Sequence, residues 1–413
     1  MDKTSPTSSK PKLVSKTQKA FVACTEMAAQ MEQYAKRGES DLIVEQVVAH
    51  FKIAKKYLFN KLAGEFASFL QHYYYVVDEK EKLAVKYTQL ALYYNELAYY
   101  EKLVRLKFSS ISFQLNRTKN PDTALIADLK QLCNELKTYL IHDSSEIWIR
   151  AYLLFNTLSS YEGNPNQIIK QCNEVIQYLN EKGVERSFPF YKDLAVAYIR
   201  KGEYDTAVIE IDKAISSIKK GTSSWSVFVY YRVIIELHRG DYQKAYDIYK
   251  EAESKRYIKK SLNKVVYETW YFVKGYIKFL ILAGKIESDS HQFKIGHFLN
   301  SIIIFNKDKS GHKINTLILK IILRLDSEKG RELIMKERDA IKKYSEENFE
   351  NGSRARVLFR RLLHIVPGDF NSEYVVQRVE KNVDPLEDLP GYDPDLEIIP
   401  YGDLWGMVLG VLD

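Results

Sequence analysis

Residues 191–214 read YKDLAVAYIRKGEYDTAVIEIDKA, and this stretch decides the fold. Its apolar and small residues recur at steps of three and four, the spacing of one face of an α-helix. Lys201 and Gly202 interrupt that spacing once. Glycine tolerates the positive φ that often closes a helix. The stretch therefore predicts two short helices joined by a tight turn.

The same pattern returns 38 residues later, where KGEYDTA at 201–207 corresponds to RGDYQKA at 239–245. Fainter copies lie near Gly163 and Gly284. A fixed period of this kind indicates one supersecondary unit that is repeated and stacked. We assign a structural role in this repeat to the following residues: Tyr191, Leu194, Ala195, Tyr198, Gly202, Tyr204, Ala207, Ala214, Gly240, Tyr242, Ala245 and Ala252.

At these positions the chain resembles the tetratricopeptide repeat (TPR) family. The resemblance is strongest over 191–221, good over 225–255 and weaker over 149–180. The period of 38 residues exceeds the 34 usual in that family, so longer connections are expected. The resemblance implies an all-α, TPR-like fold, in which antiparallel helix pairs stack into a right-handed α-solenoid. It also implies a concave groove that binds proteins or peptides.

The family lines its groove with the first helix of each pair. Matching by offset places there Arg150, Lys192, Val196, Arg200, Tyr230, Ile234 and His238. This mixture of basic and apolar side chains suits an acidic or amphipathic segment. Val196 stands where the carboxylate-clamp branch of the family has Asn, so a chaperone carboxyl terminus is not the expected ligand. The alternative is that several of these side chains only pack between helices.

Proline and charge divide the chain into four regions, and half of its ten prolines follow residue 366. Residues 1–16 are rich in Lys, Ser, Thr and Pro, and we expect disorder there. Residues 17–140 predict a helical N-terminal region, and 141–366 predict the TPR-like repeats. Residues 367–413 predict an irregular acidic tail that ends in a short apolar helix.

The charge of the tail opposes that of the remaining chain. Residues 367–413 contain 11 acidic and two basic residues, so the rest carries a formal net charge of +16, against +7 overall. A basic body attracts acidic peptides or nucleic acid. We expect the tail to fold back, either capping the last repeat or occupying the basic groove. The alternative is a linear motif for another protein. The arginines of 354–361 predict a solvated face or a pairing with the tail.

The sequence lacks the short motifs of several enzyme classes. It contains no phosphate-binding loop, no dinucleotide fingerprint, no nucleophile elbow and no zinc-binding pattern. We therefore expect no enzyme, no cofactor and no metal. Cys24, Cys133 and Cys172 are far apart, which favours a reducing compartment. The chain has no signal-peptide pattern and no run of 18 apolar residues, so we expect a cytoplasmic protein without a membrane segment.

The sequence thus predicts a non-catalytic scaffold or adaptor that binds a protein or peptide, and an acidic partner is one candidate. Two alternatives stay open. One is a helical repeat protein that binds nucleic acid through its basic, Tyr-rich body, and the other is a peptide-sensing regulator. The abundance of Lys, Ile and Tyr hints at a bacterial source. The partner, the pathway and the oligomeric state are left open.

Overall fold

The computed structural model describes residues 16–117, 122–184, 187–258, 264–288, 294–305, 310–383, 385–386, 389, 392–394 and 396–412. Within these ranges the chain forms helices, turns and irregular segments but no β-strand, which confirms the predicted all-α class. The predicted disorder of 1–16 falls outside the described residues, apart from Lys16.

A 3-10 turn spans Ser40–Leu42. The described residues form 18 α-helices: α1 (Lys16–Arg37), α2 (Val44–Lys56), α3 (Asn60–Val76), α4 (Glu81–Arg117), α5 (Thr123–Tyr139), α6 (Ser145–Tyr161), α7 (Pro165–Glu181), α8 (Phe188–Arg200), α9 (Tyr204–Ser217), α10 (Ser223–Arg239), α11 (Tyr242–Ser254), α12 (Lys264–Leu282), α13 (Ile295–Phe305), α14 (Ser310–Ile322), α15 (Glu328–Asn348), α16 (Arg354–Leu363), α17 (Ser372–Asn382) and α18 (Tyr401–Leu412).

Polar side chains start several of these helices. Asp122 Oδ1 accepts a hydrogen bond from the Leu125 amide at 2.8 Å at the start of α5. Asn164 does the same for α7, which continues with proline in its first turn. These side chains satisfy backbone N–H groups that have no partner inside the helix. None of the helices in the described ranges combines the length and apolar character needed to cross a bilayer.

The chain divides into two compact units, residues 1–154 and 155–413. The boundary falls inside α6, whereas the sequence placed a change of region after residue 140.

The first unit has an aromatic and aliphatic core between α2, α3 and α4. The ring of Phe51 packs edge-to-face against Tyr87 and Tyr94, with centroids 5.8 and 5.9 Å apart. Several of the tyrosines in this part of the chain therefore serve packing.

One acidic side chain links three helical segments of the first unit. Oε1 of Glu101 on α4 accepts hydrogen bonds from Asn60 Nδ2 and from Ser144 Oγ, each at 2.6 Å. Asn60 begins α3 and Ser144 precedes α6. Burial raises the pKa of the Glu101 carboxyl, while these two hydrogen bonds act to lower it. The balance leaves the pKa above its ordinary value.

Helices of the second unit pack in adjacent pairs from α7 to α11. The even-numbered helices also contact one another in succession: α8 with α10, α10 with α12, α12 with α14, and α14 with α16. These five helices form one continuous layer, here called the even-helix layer. It is the structural counterpart of the first helices of the predicted pairs.

The repeated turn has the same local structure in both of its copies. Gly202 and Gly240 have φ values of +74° and +83°, in the left-handed region. Tyr204 begins α9 and Tyr242 begins α11, two residues after each glycine. The alanines of the repeat, including Ala207, are buried between helices. Small side chains at these positions allow the helices to approach closely.

The part of 367–413 that the structure describes contains two helices, α17 and α18, where the sequence predicted only the second. Val375 and Val379 are buried and stand four residues apart, so α17 has an apolar face. The closely spaced Pro and Asp residues that favour irregular structure begin only at position 384. The residues described between 385 and 400, here called the tail segment, connect α17 with α18.

Candidate functional site

The tail segment lies against the even-helix layer. Side chains from four of its helices, α8, α10, α14 and α16, contact the segment through ion pairs or hydrogen bonds. Much of this bonding goes to backbone carbonyls of the tail segment. A face that holds main-chain atoms in this way has the chemistry needed to hold a peptide.

Arg354 at the start of α16 makes the strongest of these contacts. Its Nε and Nη2 donate to the two carboxylate oxygens of Glu397, at 2.6 and 3.0 Å. Nη1 donates to the carbonyl of Leu386 at 2.6 Å. Glu397 Oε2 also accepts from the amide of Tyr401, at 3.0 Å, where α18 begins. One guanidinium and one carboxylate therefore join α16, the tail segment and α18.

Glu397 is almost fully buried, with only 2% of its surface exposed. Burial raises the pKa of its carboxyl, and the ion pair with Arg354 opposes that rise. A buried carboxylate without its guanidinium is costly. The tail segment is consequently locked to α16 at this point.

His238 near the end of α10 bonds the tail segment through both ring nitrogens. Nε2 lies 2.6 Å from the carbonyl oxygen of Glu397, and Nδ1 bonds the hydroxyl of Tyr392. A carbonyl can only accept, so Nε2 carries the proton. In the neutral imidazole Nδ1 then accepts from the tyrosine hydroxyl.

Asn315 on α14 completes the row of contacts. Its Nδ2 donates to the carbonyl of Leu396 at 3.2 Å, and its Oδ1 accepts from the hydroxyl of Tyr276 on α12 at 2.6 Å. The Leu396 carbonyl fixes the orientation of the amide, because a carbonyl can only accept and must face Nδ2. Oδ1 therefore faces the Tyr276 hydroxyl, which donates to it. The contact places α12 behind α14 in support of the tail segment.

Apolar burial anchors the end of the chain. Ile399 and Leu404 are fully buried in the core of the second unit, and Val408 lies with them. Such side chains each contribute about 1.5–3 kcal/mol when removed from water. The tail is an integral part of this unit.

The sequence-predicted groove residues of α10 are buried in the second unit. His238 bonds the tail segment directly, and Tyr230 and Ile234 on the same helix are buried in the core. These three side chains face the protein interior. Their burial agrees with the alternative that some groove positions only pack.

The three predicted groove residues of α8 come together on the wall of an open pocket. Lys192, Val196 and Arg200 line it, and its volume is about 320 Å³. Residues of α6 and α7 form the rest of the wall, and Asp393 of the tail segment stands at its edge. Among the described residues, this pocket opens beside the α8 end of the even-helix layer.

Two polar side chains of the pocket are only partly satisfied. Nη1 of Arg200 donates to Ser160 Oγ at 3.0 Å, and Nη2 lies 3.5 Å from Asp393 Oδ1. The Nε of Arg200 has no hydrogen-bond partner among the described residues. Asn156 Nδ2 donates to Asp193 Oδ2 at 2.9 Å, but its Oδ1 finds no donor within the described ranges.

Arg150, the remaining predicted groove residue, belongs to the first unit. Its Nε donates to Glu146 Oε1 at 2.8 Å, and its guanidinium lies 5.1 Å from the ring centroid of Phe108. The structure therefore gives Arg150 partners within its own unit.

Apart from His238 and Arg200, the sequence did not single out the residues that contact the tail segment. Asn315, Tyr392 and Glu397 have no motif around them. Arg354 was noted only as one of several basic residues that pair with the tail or face solvent. The opposite charges of tail and body were the one available signal.

Among the described residues, no group of three or more His, Cys, Asp or Glu side chains is placed to hold a metal ion. The three cysteines are free and buried. No family model, no curated protein and no solved structure matches this chain. The geometry of the site therefore carries the functional argument.

Proposed function

We propose that this chain is a non-catalytic scaffold or adaptor that binds a protein or peptide segment. One observation supports this most directly. The even-helix layer holds a long non-helical segment of its own chain by side-chain bonds to backbone carbonyls, from Arg354, Asn315 and His238. A surface with this chemistry suits a second peptide wherever it remains open.

We further infer that the helix pairs stack as a TPR-like, right-handed solenoid. The recurring Gly-x-Tyr turn and the succession of even-numbered helices support this inference. In such an arrangement the even-helix layer is the ligand-facing side.

The open pocket on α8 is the proposed ligand site. It combines the ammonium of Lys192, the guanidinium of Arg200 and the apolar Val196. The ammonium of Lys192 lies 5.6 Å from the ring centroid of Tyr231 on α10, which supports its position. Basic and apolar groups side by side suit a segment that carries both acidic and apolar residues.

The test is affinity purification of the full tagged chain from its own host, with and without nuclease, followed by mass spectrometry. The variants are Lys192→Glu/Arg200→Glu and, as a control, Lys170→Glu on α7, which is exposed and does not line the pocket.

We expect a near-stoichiometric protein partner that stays bound after nuclease treatment. The control variant should retain this partner, and the pocket variant should lose it. Both variants must keep the wild-type circular dichroism spectrum. A high absorbance at 260 nm with partners lost on nuclease treatment would instead point to nucleic-acid binding, and the scaffold proposal would fail.

A further inference from the structure

The open pocket offers two kinds of unmet bonding capacity. Asn156 Oδ1 is an acceptor without a donor, in a side chain that is only 4% exposed. Arg200 Nε is a donor without an acceptor among the described residues. Buried polar atoms of this kind are rare in native proteins because each costs free energy. A ligand that supplies both an N–H and an anionic oxygen would satisfy them together.

We propose that this pocket binds a peptide residue bearing a carboxylate, and that Asp393 of the tail segment occupies the carboxylate position until the ligand displaces it. This proposal rests on the proposed peptide-binding function and specifies its ligand. The ligand carboxylate belongs either to an Asp or Glu side chain or to a peptide carboxyl terminus, since the chemistry is the same.

Arg200 is the group that would bind the carboxylate of the ligand. The distance of 3.5 Å between its Nη2 and Asp393 Oδ1 is long for a charge-assisted hydrogen bond. Arg200 Nε is buried, so the side chain must turn toward the pocket before a ligand carboxylate can accept from Nε and Nη2 at once, in the favoured bidentate geometry. Such a carboxylate gains a bond that Asp393 does not make.

Asn156 is the residue that would accept a hydrogen bond from an N–H group of the ligand, and its neighbour Asp193 fixes the orientation of its amide. Because the Asp193 carboxylate accepts from Asn156 Nδ2, the amide orientation is fixed and Oδ1 is the free acceptor. A peptide amide is a suitable donor for this oxygen. The pocket also contains two carboxylates, Asp193 and Asp393, beside the two cations Lys192 and Arg200. This balance suits a dipolar peptide residue better than a simple anion.

Asp393 is more accessible than the anchor of the tail segment. Its side chain is 33% exposed and lies 3.5 Å from Arg200 Nη2, whereas Glu397 is buried in a bidentate pair with Arg354. Exchange at the pocket requires the Asp393 side chain to move. The anchor at Glu397 stays in place.

The experiment screens the full chain against two synthetic random hexapeptide libraries, one with free carboxyl termini and one amidated. The best binder is then labelled and titrated by fluorescence polarisation. Its analogue with the implicated carboxylate replaced by an amide is the peptide control. The proteins are the wild type, Asp393→Asn, Arg200→Gln, Lys192→Gln and the control Lys170→Gln.

If the pocket binds side-chain carboxylates, we expect acidic peptides from both libraries. If it binds the carboxyl terminus of a peptide, we expect binders only from the library with free carboxyl termini. Asp393→Asn should tighten binding about tenfold, because it removes an intramolecular competitor. Arg200→Gln and Lys192→Gln should each weaken binding about tenfold, as should replacing the peptide carboxylate. Lys170→Gln should leave the affinity unchanged. Lys192→Gln keeps the test decisive if Arg200→Gln fails to fold.

Two outcomes would overturn the proposal, and they differ. In the first, peptides bind, but their affinity changes neither when the carboxylate is replaced by an amide nor with Asp393→Asn. The pocket assignment is then wrong, while the proposal of peptide binding stands. If no peptide binds any folded variant, Asp393→Asn included, the proposed function fails with it.

Discussion

Arg354 and Glu397, 43 residues apart in sequence, form a bidentate ion pair between α16 and the tail segment, with N–O distances of 2.6 and 3.0 Å. The same guanidinium bonds the carbonyl of Leu386. The carboxylate also accepts the amide of Tyr401 at the start of α18. This pair holds the carboxyl-terminal region together with the buried apolar side chains of Ile399, Leu404 and Val408.

Removing the guanidinium should strongly destabilise the second unit. Arg354→Ala leaves Glu397 buried without its counter-ion, at a cost of about 3–5 kcal/mol in the free energy of unfolding. Urea denaturation followed by circular dichroism measures the change. The control is Lys255→Ala, which breaks the exposed pair with Glu251 and should leave the midpoint unchanged. Equal effects of the two substitutions would contradict the anchoring role of Arg354.

Two fully buried tyrosines should respond oppositely to loss of their hydroxyls. The hydroxyl of Tyr276 donates to Asn315 Oδ1, whereas that of Tyr401 has no partner among the described residues. Tyr276→Phe should cost about 1–2 kcal/mol, since it leaves a buried acceptor unsatisfied. Tyr401→Phe should be neutral or stabilising by about 1 kcal/mol. Thermal melts of both variants measure the difference, and an equal loss in both would refute it.

Two helical glycines provide a test of packing. A Cβ on Gly275 of α12 would lie 2.6 Å from Leu319 Cδ1 and 3.0 Å from Phe298 Cζ, while one on Gly406 of α18 meets nothing within 4 Å. Gly275→Ala should destabilise by about 1–3 kcal/mol through overpacking. Gly406→Ala should stabilise by up to about 1 kcal/mol through helix propensity. The denaturation midpoints of both variants, compared with that of the wild type, test this prediction. A stabilising Gly275→Ala would show that α12 and α14 are not packed this closely.

The Glu101 carboxyl should make stability depend on pH. Its pKa is raised above the ordinary value of 4.5, chiefly by burial. The folded state therefore keeps the proton at a pH where the unfolded chain has lost it. The free energy of unfolding should fall as pH rises from about 4.5 through the raised pKa.

Glu101→Gln removes this dependence and keeps an acceptor for Asn60 and Ser144, which both bond Oε1. The variant should be more stable than the wild type at neutral pH, with the difference vanishing near pH 4. Urea titrations across this range test the claim. Glu96→Gln, an exposed position on the same helix, should show no such change. A difference that grows toward low pH would have the wrong sign.

Local features of the second unit were readable from the sequence. The helix pair around Gly202 and its copy around Gly240 depend on residue spacing and on one left-handed φ value in each turn. Both are properties of a few consecutive residues. The all-α class follows from the same spacing repeated along the chain.

The candidate site was only partly readable. Offsets within the repeat predicted that Lys192, Val196 and Arg200 share one surface, and all three line the pocket. The same offsets predicted a groove position for His238, which bonds the tail segment instead. His238 and Tyr392 are 154 residues apart, and helical periodicity carries no information about such a contact. The unsatisfied Oδ1 of Asn156 was equally invisible, because satisfaction depends on all neighbours at once.

By itself the sequence determined that this chain is helical, that its second half repeats a pair of helices joined by a tight turn, and that its body and its acidic end carry opposite formal charges. These follow from spacing, from glycine and from formal charge. The tertiary structure decided where the acidic end lies, and so which part of the even-helix layer stays open. That choice depends on a few long-range contacts, above all Arg354 with Glu397, whose strength comes from burial that only the folded chain creates.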